Sequence, residues 1–145
     1  MRRILAIAAR FLLFHVLSVL VTAVITAFAI QRAPGLAGMT IRLQPPPVEF
    51  ALRLTGVLGP FLLIPSALGW WATGTLLEKL GRADNARPAL QGASAGLAAV
   101  IAFWITLAPT LPNMLGIPIG AFFGWLVYRK LWPTLPAAAP DQPAA

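Results

Sequence analysis

The sequence predicts an all-α integral membrane protein, a four-helix bundle of two antiparallel hairpins, on three observations. Residues 88–128 form a 41-residue stretch without a charged side chain, broken near its middle by Pro109-Thr110-Leu111-Pro112-Asn113. One crossing of the hydrocarbon core takes about 20 apolar residues, so this stretch suits two. Residues 11–30 and 54–77 are two further uncharged runs, which brings the expected spans to four. Finally, 59% of the 145 residues are hydrophobic and only 10% are charged. Soluble domains carry about 25% charged residues, so this chain lacks the polar surface to cover a water-facing globule.

Span one, residues 11–30, is about 30 Å long as a helix and matches the hydrocarbon thickness. It follows a basic lead, residues 1–10. Arg2 and Arg3 before an apolar run, with Ala27-Phe28-Ala29 after it, also fit a cleaved signal peptide. Signal h-regions run to about 7–15 residues, and this run is longer and follows Arg10, so an uncleaved anchor is expected.

The connector 31–53 holds Pro34-Gly35 and Pro45-Pro46-Pro47. Three successive prolines favour a stiff extended segment over helix interior. Residues 39–43 are expected to form a short strand or a surface segment. Span two, residues 54–77, is crossed by Gly56, Gly59, Pro60, Pro65, Gly69 and Gly74. Each internal proline frees a carbonyl that lipid cannot satisfy, so this span is expected to face protein for much of its length.

The loop 78–87 mixes charges around Gly81, and span three, residues 90–108, is rich in Ala and Gly. Asn113 is placed to cap span four, residues 114–131. Arg129 and Lys130 can snorkel to head groups beside Trp132. The Pro/Ala-rich residues 133–145 read as a disordered cytoplasmic tail. Trp104 and Trp132 are expected near the interfaces, and Trp70, Trp71 and Trp125 between helices.

A net charge of +7 and a pI near 11.7 raise nucleic acid as a partner. Distribution argues against it, because the basic residues flank the apolar runs instead of lining one face. The expected partner is the lipid bilayer. Arg2, Arg3, Arg10, Lys79, Arg82, Arg87, Arg129 and Lys130 fall on one side of the four spans, and only Arg32, Arg42 and Arg53 on the other. Basic residues are retained in the cytoplasm, which puts both termini there. Nine Arg against two Lys, with abundant Ala, Gly and Pro, read as a bacterium of high G+C content, hence a multi-pass protein of a bacterial inner membrane.

Two patterns could carry function. Gly116, Gly120 and Gly124 share a face of span four, and Gly92 and Gly96 share one of span three. Such faces let backbones approach closely, either within one chain or against another. His15, Ser18, Thr22 and Thr26 share a face of span one and could form a polar track. The alternative leaves Ser and Thr bonded to preceding-turn carbonyls and His15 near the head groups, about 7–8 Å past Arg10. A short likeness, Leu58-Gly59-Pro60 against Leu115-Gly116-Ile117-Pro118, is within the reach of chance for this composition.

Catalysis is not expected. With one His, no Cys and the four acids Glu49, Glu78, Asp84 and Asp141 outside the spans, the chain lacks the usual acid pairs, metal sets and activated nucleophiles. No cofactor is expected either, since a bis-histidine haem would need a second imidazole from another chain. The leading expectation is a small accessory or oligomerising component, packing on itself or on a larger membrane complex through the glycine faces. The alternative is a small channel or carrier that uses the polar face of span one and the broken span two.

A reporter fused after Ala145 tests the orientation. Green fluorescence without alkaline phosphatase activity is expected; a phosphatase-positive fusion reverses the assignment.

Overall fold

The computed structural model describes residues 2–32, 46–81, 86–106 and 111–131, which are helical apart from short caps and turns. Residues 39–43, Trp132 and the 133–145 tail lie outside the described residues. Helix α1, Arg2–Arg32, runs through the basic lead as well as the first apolar stretch. The lead is dominated by Arg, Ile, Leu and Ala, which sit comfortably in a helix, so nothing stops it before Arg10.

Helix α2, Pro47–Lys79, begins seven residues before the expected start at 54. The third proline of the triplet belongs to the helix. At a first helical position the missing N–H is one that would be unpaired anyway, and the fixed φ suits the helix. Glu49 adds a negative charge to the first turn and pairs with Arg53 one turn on, at 2.5 Å. The helix passes Pro60 and Pro65 without interruption. It stops at Gly81, whose φ of +66° suits a residue without Cβ and whose N–H reaches the Glu78 carbonyl.

Helix α3 spans Arg87–Thr106. The last helix changes geometry along its length: 3₁₀ over Leu111–Leu115, α4 over Gly116–Trp125, then π over Leu126–Leu131. Asn113 does not cap it. The residue before α4 is Leu115, which makes no side-chain cap, and Asn113 instead turns its amide oxygen to Thr26 of α1.

Contacts fix the directions of the helices. Ala23 and Ala27 of α1 cluster with Ala51 of α2, while His15 meets Gly59 further along, so these two helices are antiparallel. Gly69 meets Ser94, and Glu78 meets Arg87, which reverses α3 relative to α2. Thr26 at Asn113 and Arg10 at Tyr128 bring the last helix antiparallel against α1. Helices α1 to α4 thus close a ring. One end, the terminal end, holds the start of α1 and the end of the π segment; the other is the far end.

The closest contact joins α3 to α4. A Cβ on Gly92 would overlap the Gly120 carbonyl, one on Gly96 the Gly116 carbonyl, and one on Gly124 the Pro88 carbonyl. The predicted glycine faces therefore meet each other within the chain. At the terminal end the ring is filled by aromatic side chains. Phe14, 1% exposed, lies 4.8 Å from Trp70 between ring centroids, and Trp70 lies 4.6 Å from Tyr128. Phe11 abuts both Phe14 and Trp70. Arg10 is buried here, donating to the Tyr128 carbonyl at 3.3 Å with its guanidinium 4.3 Å from the Tyr128 ring centre. A cation beside the last carbonyls of a helix is favoured by the helix dipole.

The outer surface is apolar. Val57, Phe61, Ile64, Leu68 and Trp71 recur every three or four residues and are all exposed on one stripe of α2. Span two therefore faces outward along that stripe, more than its prolines implied. Trp71 and Trp125 are also exposed, not buried between helices. The polar side chains His15, Ser18, Thr26, Ser66 and Gln91 are buried. This is the reverse of a water-soluble domain, and α1, α2 and α3 are each long and apolar enough to cross a membrane.

The glycine contact predicts mutations of opposite sign. Gly120→Ala should lower thermal stability in detergent by about 1–3 kcal/mol, through backbone overlap. Gly56→Ala, with nothing within 4 Å of the added carbon, should be neutral or stabilise by up to about 1 kcal/mol. Equal effects at the two sites would refute the packing.

Candidate functional site: a polar-lined cavity in the far half of the bundle

Beyond Phe14 the facing positions on α1 and α3 are mostly small. There α1 presents Ser18, Val19, Thr22, Ala23 and Thr26; α3 presents Ala95, Gly96, Ala99 and Val100. Leu54, Thr55, Leu58, Leu62 and Ser66 of α2, Phe103 further along α3, and Asn113 and Gly116 complete a partly open cavity. It holds about 80 Å³ for the centres of water-sized molecules. One water needs about 10–15 Å³ on this measure, so there is room for several.

All four residues of the predicted polar track line this space. His15, Ser18, Thr22 and Thr26 face it from α1, and their face of the helix runs for about 16 Å. Three further polar side chains join them: Thr55 and Ser66 from α2, and Asn113 from the 3₁₀ segment. Each stands without a helical repeat of polar residues, so no periodicity in the sequence marked it.

The hydrogen bonding of these groups is uneven. His15 is 3% exposed, and its Nε2 lies 2.8 Å from the Gly59 carbonyl. A carbonyl only accepts, so this nitrogen carries the proton and donates. His15 thus turns into the bundle, as does Arg10 one turn and a half before it, which is folded against Tyr128. Thr22 donates to the Ser18 carbonyl and Thr55 to the Ala51 carbonyl, each at 2.7 Å. Thr26 reaches across to Asn113 Oδ1 at 3.4 Å.

Among the side chains that line the cavity, two polar atoms are buried without a protein partner. Ser18 Oγ and Asn113 Nδ2 are buried and make no hydrogen bond. Leaving such a group unpaired away from water costs about 1–3 kcal/mol, so a buried orphan calls for a partner from outside the chain. The seam between α2 and α3 is also asymmetric. Ser94 donates to the Gly69 carbonyl and accepts from Thr73, and Gln91 donates to the Trp70 carbonyl. Arg87 pairs with Glu78 at 2.5 Å. Among the described residues, every hydrogen bond and ion pair between these two helices lies toward the terminal end.

Among the described residues no three His, Cys, Asp or Glu side chains gather as a metal site would require. No charged side chain lines the cavity. Comparison with protein-family profiles, curated proteins and solved structures finds no match to this chain.

The contacts separate structural from unpartnered groups. His15→Leu should cost about 1–3 kcal/mol of stability through loss of the Gly59 bond, whereas Ser18→Ala should leave the melting temperature unchanged or raise it. A loss at Ser18 equal to that at His15 would mean its hydroxyl is already satisfied.

Proposed function

We propose that this chain is a four-span protein of a bacterial cytoplasmic membrane, both termini inside, which binds a small uncharged molecule in its cavity and carries out no catalysis. The observation that carries the binding role is the convergence of seven polar side chains on one cavity with two of their atoms buried without a partner. The fourth crossing rests on Leu111–Leu131, a continuous helical path of length comparable to α3 despite its changes of geometry. The orientation rests on charge, since Arg10, Lys79, Arg87, Arg129 and Lys130 gather at the terminal end of the ring.

Of the two roles the sequence left open, this geometry favours the carrier over the accessory subunit. The glycine faces meet each other, so association with a second copy or a larger complex would need another surface. An open channel is disfavoured for a physical reason. Phe11, Phe14, Trp70 and Tyr128 fill the ring at the terminal end, which closes the cavity on that side.

Reconstitution tests the reading. In planar bilayers the purified protein should give no unitary current, while a panel of small uncharged compounds should contain stabilisers whose effect is lost in Ala99→Phe, a variant that fills the cavity. Steady conductance, or stabilisation that survives Ala99→Phe, would defeat the proposal.

A further inference from the structure

The cavity's chemistry narrows what it takes, on the premise that it is a binding site. Its hydrogen-bond capacity divides sharply. The protons of His15 Nε2, Thr22, Thr55 and Thr26 are committed to oxygens of the protein. Ser18, only 9% exposed, keeps a free O–H, Ser66 makes no hydrogen bond from α2, and Asn113 keeps a free N–H₂. An amide nitrogen can only donate, so its partner must be an acceptor.

Charge is excluded by the same accounting. No ionised side chain lines the cavity to pair with a charged ligand, and an unpaired ion in such surroundings is prohibitively costly. Most of the wall is aliphatic, from Val19, Leu54, Leu58, Leu62 and Val100 together with Ala and Gly.

We propose that the cavity binds an uncharged, lipid-soluble molecule through its carbonyl oxygens, Ser18 Oγ and Asn113 Nδ2 lying about two helical turns apart along α1 and each donating to a separate one, with the apolar remainder against α2 and α3. The carbonyls could belong to a quinone ring or to the esters of a neutral acylglycerol. Both present the same acceptor on an apolar body.

The test uses the full chain in maltoside micelles and three probes: a decyl-substituted benzoquinone, didecanoyl glycerol and decylbenzene. The benzoquinone or the glycerol ester should bind saturably, and whichever does so identifies the source of the carbonyl. Decylbenzene, which lacks an acceptor, should bind at least tenfold more weakly. Ser18→Ala should lower carbonyl-probe affinity about tenfold with decylbenzene and the melting temperature unaffected. Ala99→Phe should abolish binding of every probe while remaining folded.

Equal binding of decylbenzene, or unchanged affinity in Ser18→Ala, overturns carbonyl recognition while leaving the cavity a binding site. Failure of all three probes, with glycerol flux into proteoliposomes, overturns the lipid-soluble class but spares the carrier role. Failure of the probes with no flux and no stabilising solute removes the binding role itself.

Discussion

The structure depends on one constraint: its outer surface is hydrocarbon-like, so its polar groups must be satisfied inside the ring. In water a stray hydroxyl finds a partner at no cost, but in lipid it must find one on a neighbouring helix or on its own preceding turn. Both solutions are present. Thr22, Thr55 and Thr106 turn back to carbonyls one turn earlier. Ser94 and Gln91 reach across to the α2 backbone at Gly69 and Trp70, and Arg10 reaches to the last turn of the π segment. Against that background Ser18 Oγ and Asn113 Nδ2 stand out as unpaired polar atoms on residues that line the cavity; Trp104 Nε1, buried and also unpaired, belongs to a residue outside its lining.

The cavity itself follows from how side-chain size is distributed around the ring. Helices α3 and α4 touch backbone to backbone because glycine faces glycine. That close approach leaves α1 and α2 to fill the remaining space. At the terminal end they do so with Phe11, Phe14 and Trp70, aided by Tyr128. Toward the far end the facing positions are Ser18, Thr22, Ala23 and Ser66 opposite Gly96 and Ala99. These are too small to meet, and interiors that must be tight do not normally leave that much room unfilled. The π segment contributes at the closed end by carrying Val127 and Tyr128 into the aromatic cluster.

Much of this was legible from gaps between charges, and the remainder was not, for identifiable reasons. Three apolar runs and their flanks located the helices, and the four-residue spacing of glycines in spans three and four marked the contact they make. The start of α2 was misread because a proline triplet looks like a break, although its last member suits a first helical turn. Asn113 after a proline-rich turn resembles a cap; its role in bridging to Thr26 depends on where α1 lies. Counting from Arg10 gives a depth for His15 but not a direction, and only the fold shows both side chains turning into the bundle. Thr55 and Ser66 are single polar residues in an apolar helix, and only the fold shows them facing Ser18. Trp71 and Trp125 were placed inside because aromatic residues commonly pack, but lipid accommodates them equally well.

The prolines of α2 acquire a meaning once the cavity is in place. Pro60 and Pro65 lack the N–H groups that would bond to Gly56 and Phe61, so this stretch carries fewer helical bonds than its neighbours. It is the stretch that lines the cavity through Leu58, Leu62 and Ser66, and whose Gly59 carbonyl accepts from His15. The other end of α2 is pinned to α3 by Ser94, Gln91 and Arg87. Its cavity half is held by a different neighbour, through Ala51 packed on Ala23 and Ala27 of α1 and through the His15 bond to Gly59. The two prolines therefore fall where α2 passes from one partner helix to the other, so the stretch with fewest helical bonds of its own is the one that must accommodate both contacts.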